Sequence, residues 1–280
     1  MNWPFSIVIL TLNEERDLPG CLASVAGCTD IVVLDSGSTD ATAALARAAG
    51  ASVYTRPFDD FAGQRNYAQA EIPFRHPWVF HLDADERFTP ELAEECAAAA
   101  TSGPADLDGY LVAPRMIFEG RWIPHCTDYP AWQARFARRP AFRFIEVGHG
   151  QREAPGLRLG RLRANYLHDL SSGGRTEWLE KHRRYARAEA RSEAAKGSGP
   201  RPPAWRELTS ADPLRRRRAL KRCAAGLPLR PWARFVYQYV LRGGFLDGAP
   251  GLAYCRLLAR YEGFVAEERR RIRHGSRPSP

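Results

Sequence analysis

Along the first hundred residues, apolar positions come in short blocks, each closed by a polar cluster. Phe5–Leu12 (FSIVILTL) is an apolar, β-branched run of strand length that stops at Asn13-Glu14-Glu15. Asp17–Ala26 switches to helical spacing through Leu18, Leu22 and Val25. Asp30–Leu34 predicts a second strand, ending in Asp35-Ser36-Gly37-Ser38-Thr39-Asp40, a turn leading into a helix N-cap. Ala41–Ala49 continues as an alanine-rich helix closed by Gly50. Ala51–Thr55 predicts a third strand, Ala62–Ala70 a helix and Trp78–Leu82 a fourth strand, after which Thr89-Pro90-Glu91 opens another helix. The alternation of strand, helix and strand predicts an α/β fold with a doubly wound, mostly parallel sheet. Ligands of such sheets sit outside the carboxyl ends of the strands. Asn13-Glu14, Asp35-Ser36 and Asp83/Asp85 each follow a strand directly, so this edge reads as an active-site rim.

Beyond residue 105 the pattern becomes mixed, and Asp108–Arg163 predicts short strands and turns. Thr176–Lys196 predicts a long amphipathic helix with Trp178, Leu179, His182, Tyr185 and Ala186 on one stripe and Gly197 as its stop. Residues 197–204 read as a flexible linker. Helices are then expected over Pro231–Leu241 and over Pro250–Val265, the second with Tyr254, Leu257, Leu258 and Tyr261 on one side.

Composition narrows the class. With 44% hydrophobic and 26% charged residues in 280, the chain is globular rather than disordered. No apolar run reaches the length of a membrane-spanning helix, and the N-terminal residues lack the basic start and small-residue cleavage site of a signal peptide. Six cysteines without CxxC spacing read as buried thiols of a reducing compartment. The net charge of +9 is lopsided: residues 205–280 hold 17 Lys+Arg against 6 Asp+Glu, leaving −2 for residues 1–204. Arginines mixed with Trp, Phe and Tyr on short helices suit an interfacial membrane anchor, against the plainer reading of a packed subdomain or dimer contact.

The candidate chemistry centres on Asp83 and Asp85. Two carboxylates two residues apart at a strand's exit, with no lysine between them, can share a hard cation such as Mg2+ or Mn2+. The plainer reading is a polar loop with Asp85 or Glu86 serving the next helix's N-terminus. No GxGxxG follows the first strand and no GxxxxGK[ST] occurs, which disfavours dinucleotide-binding and P-loop readings.

Thr11-Leu12-Asn13-Glu14, Asp35 to Asp40, Gln64-Arg65-Asn66 and Asp83-Ala84-Asp85, in that order, closely resemble the motifs of family 2 glycosyltransferases of the GT-A fold, in particular the bacterial β-glycosyltransferases of the lipopolysaccharide core. The resemblance is strongest over residues 5–100 and extends to about residue 196. It implies a GT-A domain over 1–196, with a nucleotide-sugar half (1–105), an acceptor half (106–170) and a closing helix (175–196), followed by the linker and a basic, membrane-associating region over 205–280. By this resemblance Thr11, Asn13, Glu14, Asp35 and Ser36 line the nucleotide pocket, Arg65 and Arg135 (within Trp132–Phe136) lie near the diphosphate, and Asp83 and Asp85 hold the metal. Ser36 stands where many members carry a second, uracil-reading aspartate, and Gly150 stands after His149 where a Val-His-Glu motif has its glutamate. Glu146, His149 and Glu153 are therefore rival general bases, and His168-Asp169 is a candidate to close the site. The implied activity is metal-dependent, inverting transfer of a hexose from a nucleotide sugar, UDP-linked by preference, to a glycolipid acceptor at the cytoplasmic face of the inner membrane. Two alternatives remain: a nucleic-acid-binding protein built on the arginine-rich tail, although no nucleic acid is expected beside these four motifs, and a same-fold nucleotidyl or phosphosugar transferase.

Overall fold

A computed structural model describes residues 3–147, 150–195, 205–211, 216, 219 and 229–275, and the chain divides into two compact units. The first comprises residues 1–120 and 128–172, the second residues 121–127 and 173–280.

The first unit is built on a seven-stranded mixed sheet. In chain order its elements are β1 (Ser6–Thr11), α1 (Leu18–Ser24), β2 (Ile31–Asp35), α2 (Thr42–Ala48), β3 (Ser52–Thr55), α3 (Phe61–Glu71), β4 (Trp78–Asp83), β5 (Glu86–Arg87) and α4 (Pro90–Ser102). They are followed by β6 (Gly109–Val112) and β7 (Pro114–Phe118), and, after the excursion at β8 (Arg121–Trp122), by β9 (Gln133–Arg138), β10 (Phe144–Val147), β11 (Gly150–Glu153), β12 (Leu159–Arg161) and β13 (Tyr166–Asp169). The main sheet runs β12-β6-β9-β4-β1-β2-β3. β1 lies parallel between β2 and β4, and β9 enters antiparallel between β4 and β6.

The unbroken apolar runs of β1, β2 and β4 follow from burial of both sheet faces. Ile7, Ile9, Val33, Phe80 and Leu82 turn to one face and pack with Leu18, Cys21 and Leu22 of α1 and Leu92 and Cys96 of α4. Val8, Val32, Leu34 and Val79 turn to the other and pack with Ala68 and Ile72 on and beside α3. Phe80 is fully buried, edge-on to Phe88 at 4.8 Å and to Tyr166 at 6.3 Å. Helix starts follow local chemistry: Asp60 accepts from the Gly63 N–H, and Thr89 caps α4 at the Leu92 N–H with Pro90 in the first turn. The five described cysteines are buried thiols.

The second unit is helical: α5 (Gly174–Ala195), α6 (Trp205–Leu208), α7 (Arg230–Val236), a π turn (Tyr237–Leu241), a 3-10 turn (Gly244–Asp247) and α8 (Gly248–Gly275). The sequence reading grouped the helix at 175–196 with the first domain; its contacts instead place it in the second unit. Tyr261 donates to Glu189, Arg187 pairs with Glu268 at 3.4 Å, and the Arg183 guanidinium lies 4.8 Å from the Phe264 ring centre. The stripe Leu257/Tyr261 of α8 is thus spent on packing. α8 runs ten residues past the expected end at Val265, because Glu and Arg propagate a helix well and Glu268 and Arg271 pair one turn apart at 3.2 Å. The expected single helix over Pro231–Leu241 is continuous but widens from α to π at Tyr237. The linker at 197–204 and the basic run Arg215–Arg218 fall outside the described residues, save Arg216.

Candidate functional site

Strand register brings the polar exits together. Leu10 pairs with Asp83 and Thr11 with Asp35, so three adjacent parallel strands end within one residue of each other. Side-chain alternation then sorts the groups. Thr11 and Asp35 continue the face of Ile7, Ile9 and Val33 toward α1, whereas Asp83 continues the face of Val79 and His81 toward α3. The edge thus carries two polar clusters, one on each side of the strand ends.

The first cluster ties two loops. Asp35 accepts from the Thr11 hydroxyl at 2.9 Å, the Ser38 hydroxyl at 2.5 Å, and the Gly37 and Ser38 N–H groups at 3.1 and 2.8 Å. Burial raises its pKa, but these donors outweigh that and hold it below the usual carboxylate range. Its lone pairs are all engaged, so a nucleoside contact would have to exchange one of these bonds. Asn13, at φ 57°, accepts from the Thr39 N–H at 2.9 Å, and the Glu14 N–H donates to Thr42 at 2.8 Å. Ser36 is anchored through its N–H to the Thr11 carbonyl and is half-buried.

The second cluster is charged and deeper. Asp83 ends β4 and Asp85 lies in the tight turn before β5 rather than on the same extended strand, and both are about a quarter exposed. Asp83 receives Arg65 Nη2 at 2.7 Å on one oxygen and Arg135 Nη2 at 3.1 Å on the other. Burial opposes its ionisation, but Arg135 and Arg65 together hold its pKa well below the carboxylate range. Arg135 also reaches Glu86 at 2.7 Å, the Gln133 side chain at 3.1 Å and the His81 carbonyl at 3.2 Å, over the Tyr166 ring. Arg65 is 1% exposed, and its Nε and Nη1 find no partner among the described residues. Unpartnered buried donors are costly and uncommon in native folds, so these two nitrogens call for a partner, water or ligand, beyond the described residues.

Glu86 and His168 complete the cluster. Glu86 is fully buried, accepts from the Asp83 N–H at 2.8 Å, and is pushed by burial to about 7 despite Arg135. His168 sits 3.4 Å from Asp85 and 3.6 Å from Glu86. Burial would lower its pKa, but Asp85 and Glu86 raise it to about 9. Sequence reasoning named His168 yet gave Glu86 only a helix-terminus role. An acid one residue past a DxD carries no local mark of burial; pairing of β5 with β13 buries it.

Two of the rival bases, Glu146 and Glu153, lie on the β10–β11 hairpin. Phe144 pairs with Glu153 and Glu146 with Gln151, so Glu146 and Glu153 share the hairpin face of buried Phe144, whose ring lies 5.0 Å from that of His81. His149 lies outside the described residues. The Gln64-Arg65-Asn66 motif distributes three tasks on α3. Gln64 donates to the Arg56 and Pro57 carbonyls, Arg65 binds Asp83, and Asn66 bonds both the N–H and the carbonyl of Phe144 at 2.9 Å.

Among the described residues no three His, Cys, Asp or Glu side chains converge as a metal cage. The donor set fits a different arrangement, in which Mg2+ or Mn2+ takes one or two carboxylates and completes its shell with substrate phosphate and water.

Residues 6–151 match the model of glycosyl transferase family 2. The chain is 30% identical over 215 residues to the lipopolysaccharide core biosynthesis glycosyltransferase LpsC of Rhizobium meliloti, covering 71% of this chain and 74% of that protein. An uncharacterized glycosyltransferase of Rickettsia typhi is 36% identical over 91 residues, 32% of this chain and 30% of its own length. Among solved structures, glucosyl-3-phosphoglycerate synthase from Mycobacterium tuberculosis, crystallised with Mn2+, UDP and glucosyl-3-phosphoglycerate, is 23% identical over 41% of this chain and 44% of that one, with a TM-score of 0.34. That last likeness is too slight to bear on chemistry. The extent of the family match and the identity to LpsC, on a mixed α/β sheet, establish that the chain belongs to glycosyl transferase family 2 and has the GT-A fold.

Proposed function

We propose that the chain is a metal-dependent, inverting glycosyltransferase that moves a hexose from a nucleotide-diphosphate sugar to a lipid-linked glycan, in lipopolysaccharide core or related envelope synthesis. The observation that carries this is the cluster at the exit of β4: Asp83 and Asp85 beside a buried Arg65 whose Nε and Nη1 have no partner among the described residues. In this reading the nucleoside lies on the Thr11/Asn13/Asp35 side of the sheet edge and the diphosphate reaches across to Arg65. Asp83 and Asp85 are the residues that would hold Mg2+ or Mn2+, which when bound neutralises charge growing on the leaving diphosphate. Arg65 donates to phosphate oxygens, while Arg135, fixed by Glu86 and Gln133, holds Asp83 in place. Glu146, His149 or Glu153 takes the proton of the acceptor hydroxyl as it attacks the anomeric carbon. The similarity to LpsC supports a lipid-linked core acceptor, and hence work at the inner-membrane surface. No helix of the described residues is long and apolar enough to cross a membrane.

The test uses purified protein, a panel of sugar nucleotides and Mg2+ or Mn2+. One donor should stabilise the fold thermally only with metal and be slowly hydrolysed to nucleoside diphosphate, and Asp85→Ala should abolish that turnover. Unchanged turnover in Asp85→Ala removes the metal reading, and release of pyrophosphate would mark a nucleotidyl transferase instead.

A further inference from the structure

Within the second unit, α7 and the π turn wear their faces inside out. Their polar residues point inward: Arg230, 6% exposed, pairs with Glu262 and Glu189, and Gln238, 2% exposed, donates to the Cys126 carbonyl. Their large apolar residues point outward: Leu229, Trp232, Val240 and Leu241 are 68, 67, 52 and 73% exposed, and Tyr237 is 36% exposed. Phe245 and Leu246 on the 3-10 turn add two more at 52 and 58%. Leu229, Trp232, Val240 and Leu241 recur at helical spacing, so they form a stripe rather than a scatter. A helix that folds only against its own core buries this stripe and exposes the arginine; solvent here meets the reverse.

We propose that residues 229–246 form a docking surface for an anionic phospholipid bilayer, lying in its interface with the apolar stripe at the acyl boundary. Charge selects this occupant. Arg230 is spent on Glu189 and Glu262 and Arg242 donates to the Thr127 carbonyl, but Arg234 is partly exposed, and the segment holds no acidic residue and lies within a region of net +11. A second copy would bring two such regions face to face, whereas acidic headgroups supply the counter-charge. The surface is narrower than the sequence suggested, since the aromatic stripe of α8 is used against α5. It deepens the membrane side of the proposed function and is independent of donor chemistry.

The experiment sediments the full chain, without donor or metal, with vesicles of phosphatidylglycerol and phosphatidylcholine or of phosphatidylcholine alone. Wild type should pellet with the anionic vesicles. Trp232→Ser and Leu241→Ser should each lower partitioning roughly tenfold or more, with donor hydrolysis unchanged. Because both side chains are exposed, their loss leaves the fold intact, which circular dichroism checks. The proposal is overturned if wild type stays in the supernatant, or if both variants pellet like wild type. A concentration-dependent dimer lost in the variants, or capture of an acidic protein, with no vesicle binding in either case, overturns it too. Failure here leaves the donor-hydrolysis result standing, and absence of hydrolysis leaves the vesicle result readable.

Discussion

Replacing Arg65 with methionine separates two roles that an arginine at this place can have. Among the described residues Arg65 makes one ion pair, to Asp83 at 2.7 Å, and leaves Nε and Nη1 buried without partners. Breaking a buried pair outright costs about 3–5 kcal/mol when the other charge is stranded. Asp83 is not stranded: it keeps Arg135 at 3.1 Å and is 28% exposed, so the loss should be nearer 1–2 kcal/mol by the same reasoning. Against that, removing two unsatisfied buried donors returns about 1–3 kcal/mol each. Stability of Arg65→Met should therefore be unchanged or rise, by up to about 4 kcal/mol. Donor binding should suffer instead, since hydrogen bonds to charged groups are worth about 1.5–3 kcal/mol, or roughly 10- to 150-fold in Kd. Urea unfolding without ligand and calorimetric titration of the nucleotide diphosphate with metal give the two numbers. A variant that loses more than 3 kcal/mol of stability, by the scale of a stranded buried charge, yet binds donor like wild type would refute the reasoning and make Arg65 a structural arginine.

Asn66→Ala removes both bonds to the Phe144 backbone and should cost about 1–3 kcal/mol; by loosening the hairpin that carries Glu146 and Glu153 it should lower kcat more than it raises the donor KM. His168, raised to about 9, contributes stability that is full below its ordinary value near 6.5 and is lost as pH climbs toward 9. In metal-free buffer the wild-type unfolding free energy from urea titration should drop between pH 7 and 9, by about 2 kcal/mol, and His168→Gln should flatten that slope; Glu86, at about 7, makes its own loss below this window. Phe80→Ala, at a fully buried site packed on Phe88 and Tyr166, should destabilise by about 3–5 kcal/mol in denaturant titration.

By itself the sequence determined the parallel core and where its chemistry emerges. Ile7, Val8, Ile9 and their counterparts in β2 and β4 are apolar on both faces because helices cover both, and that is visible as unbroken runs closed by Thr11, Asp35 and Asp83. What the tertiary structure alone decided depends on pairings between residues far apart in the chain. Arg135 meets Asp83 and Glu86 because β9 enters antiparallel beside β4, and His168 meets Asp85 because β13 pairs with β5. The outward stripe from Leu229 to Leu246 was equally hidden, since periodicity gives the faces of a helix but not which of them the rest of the fold will cover.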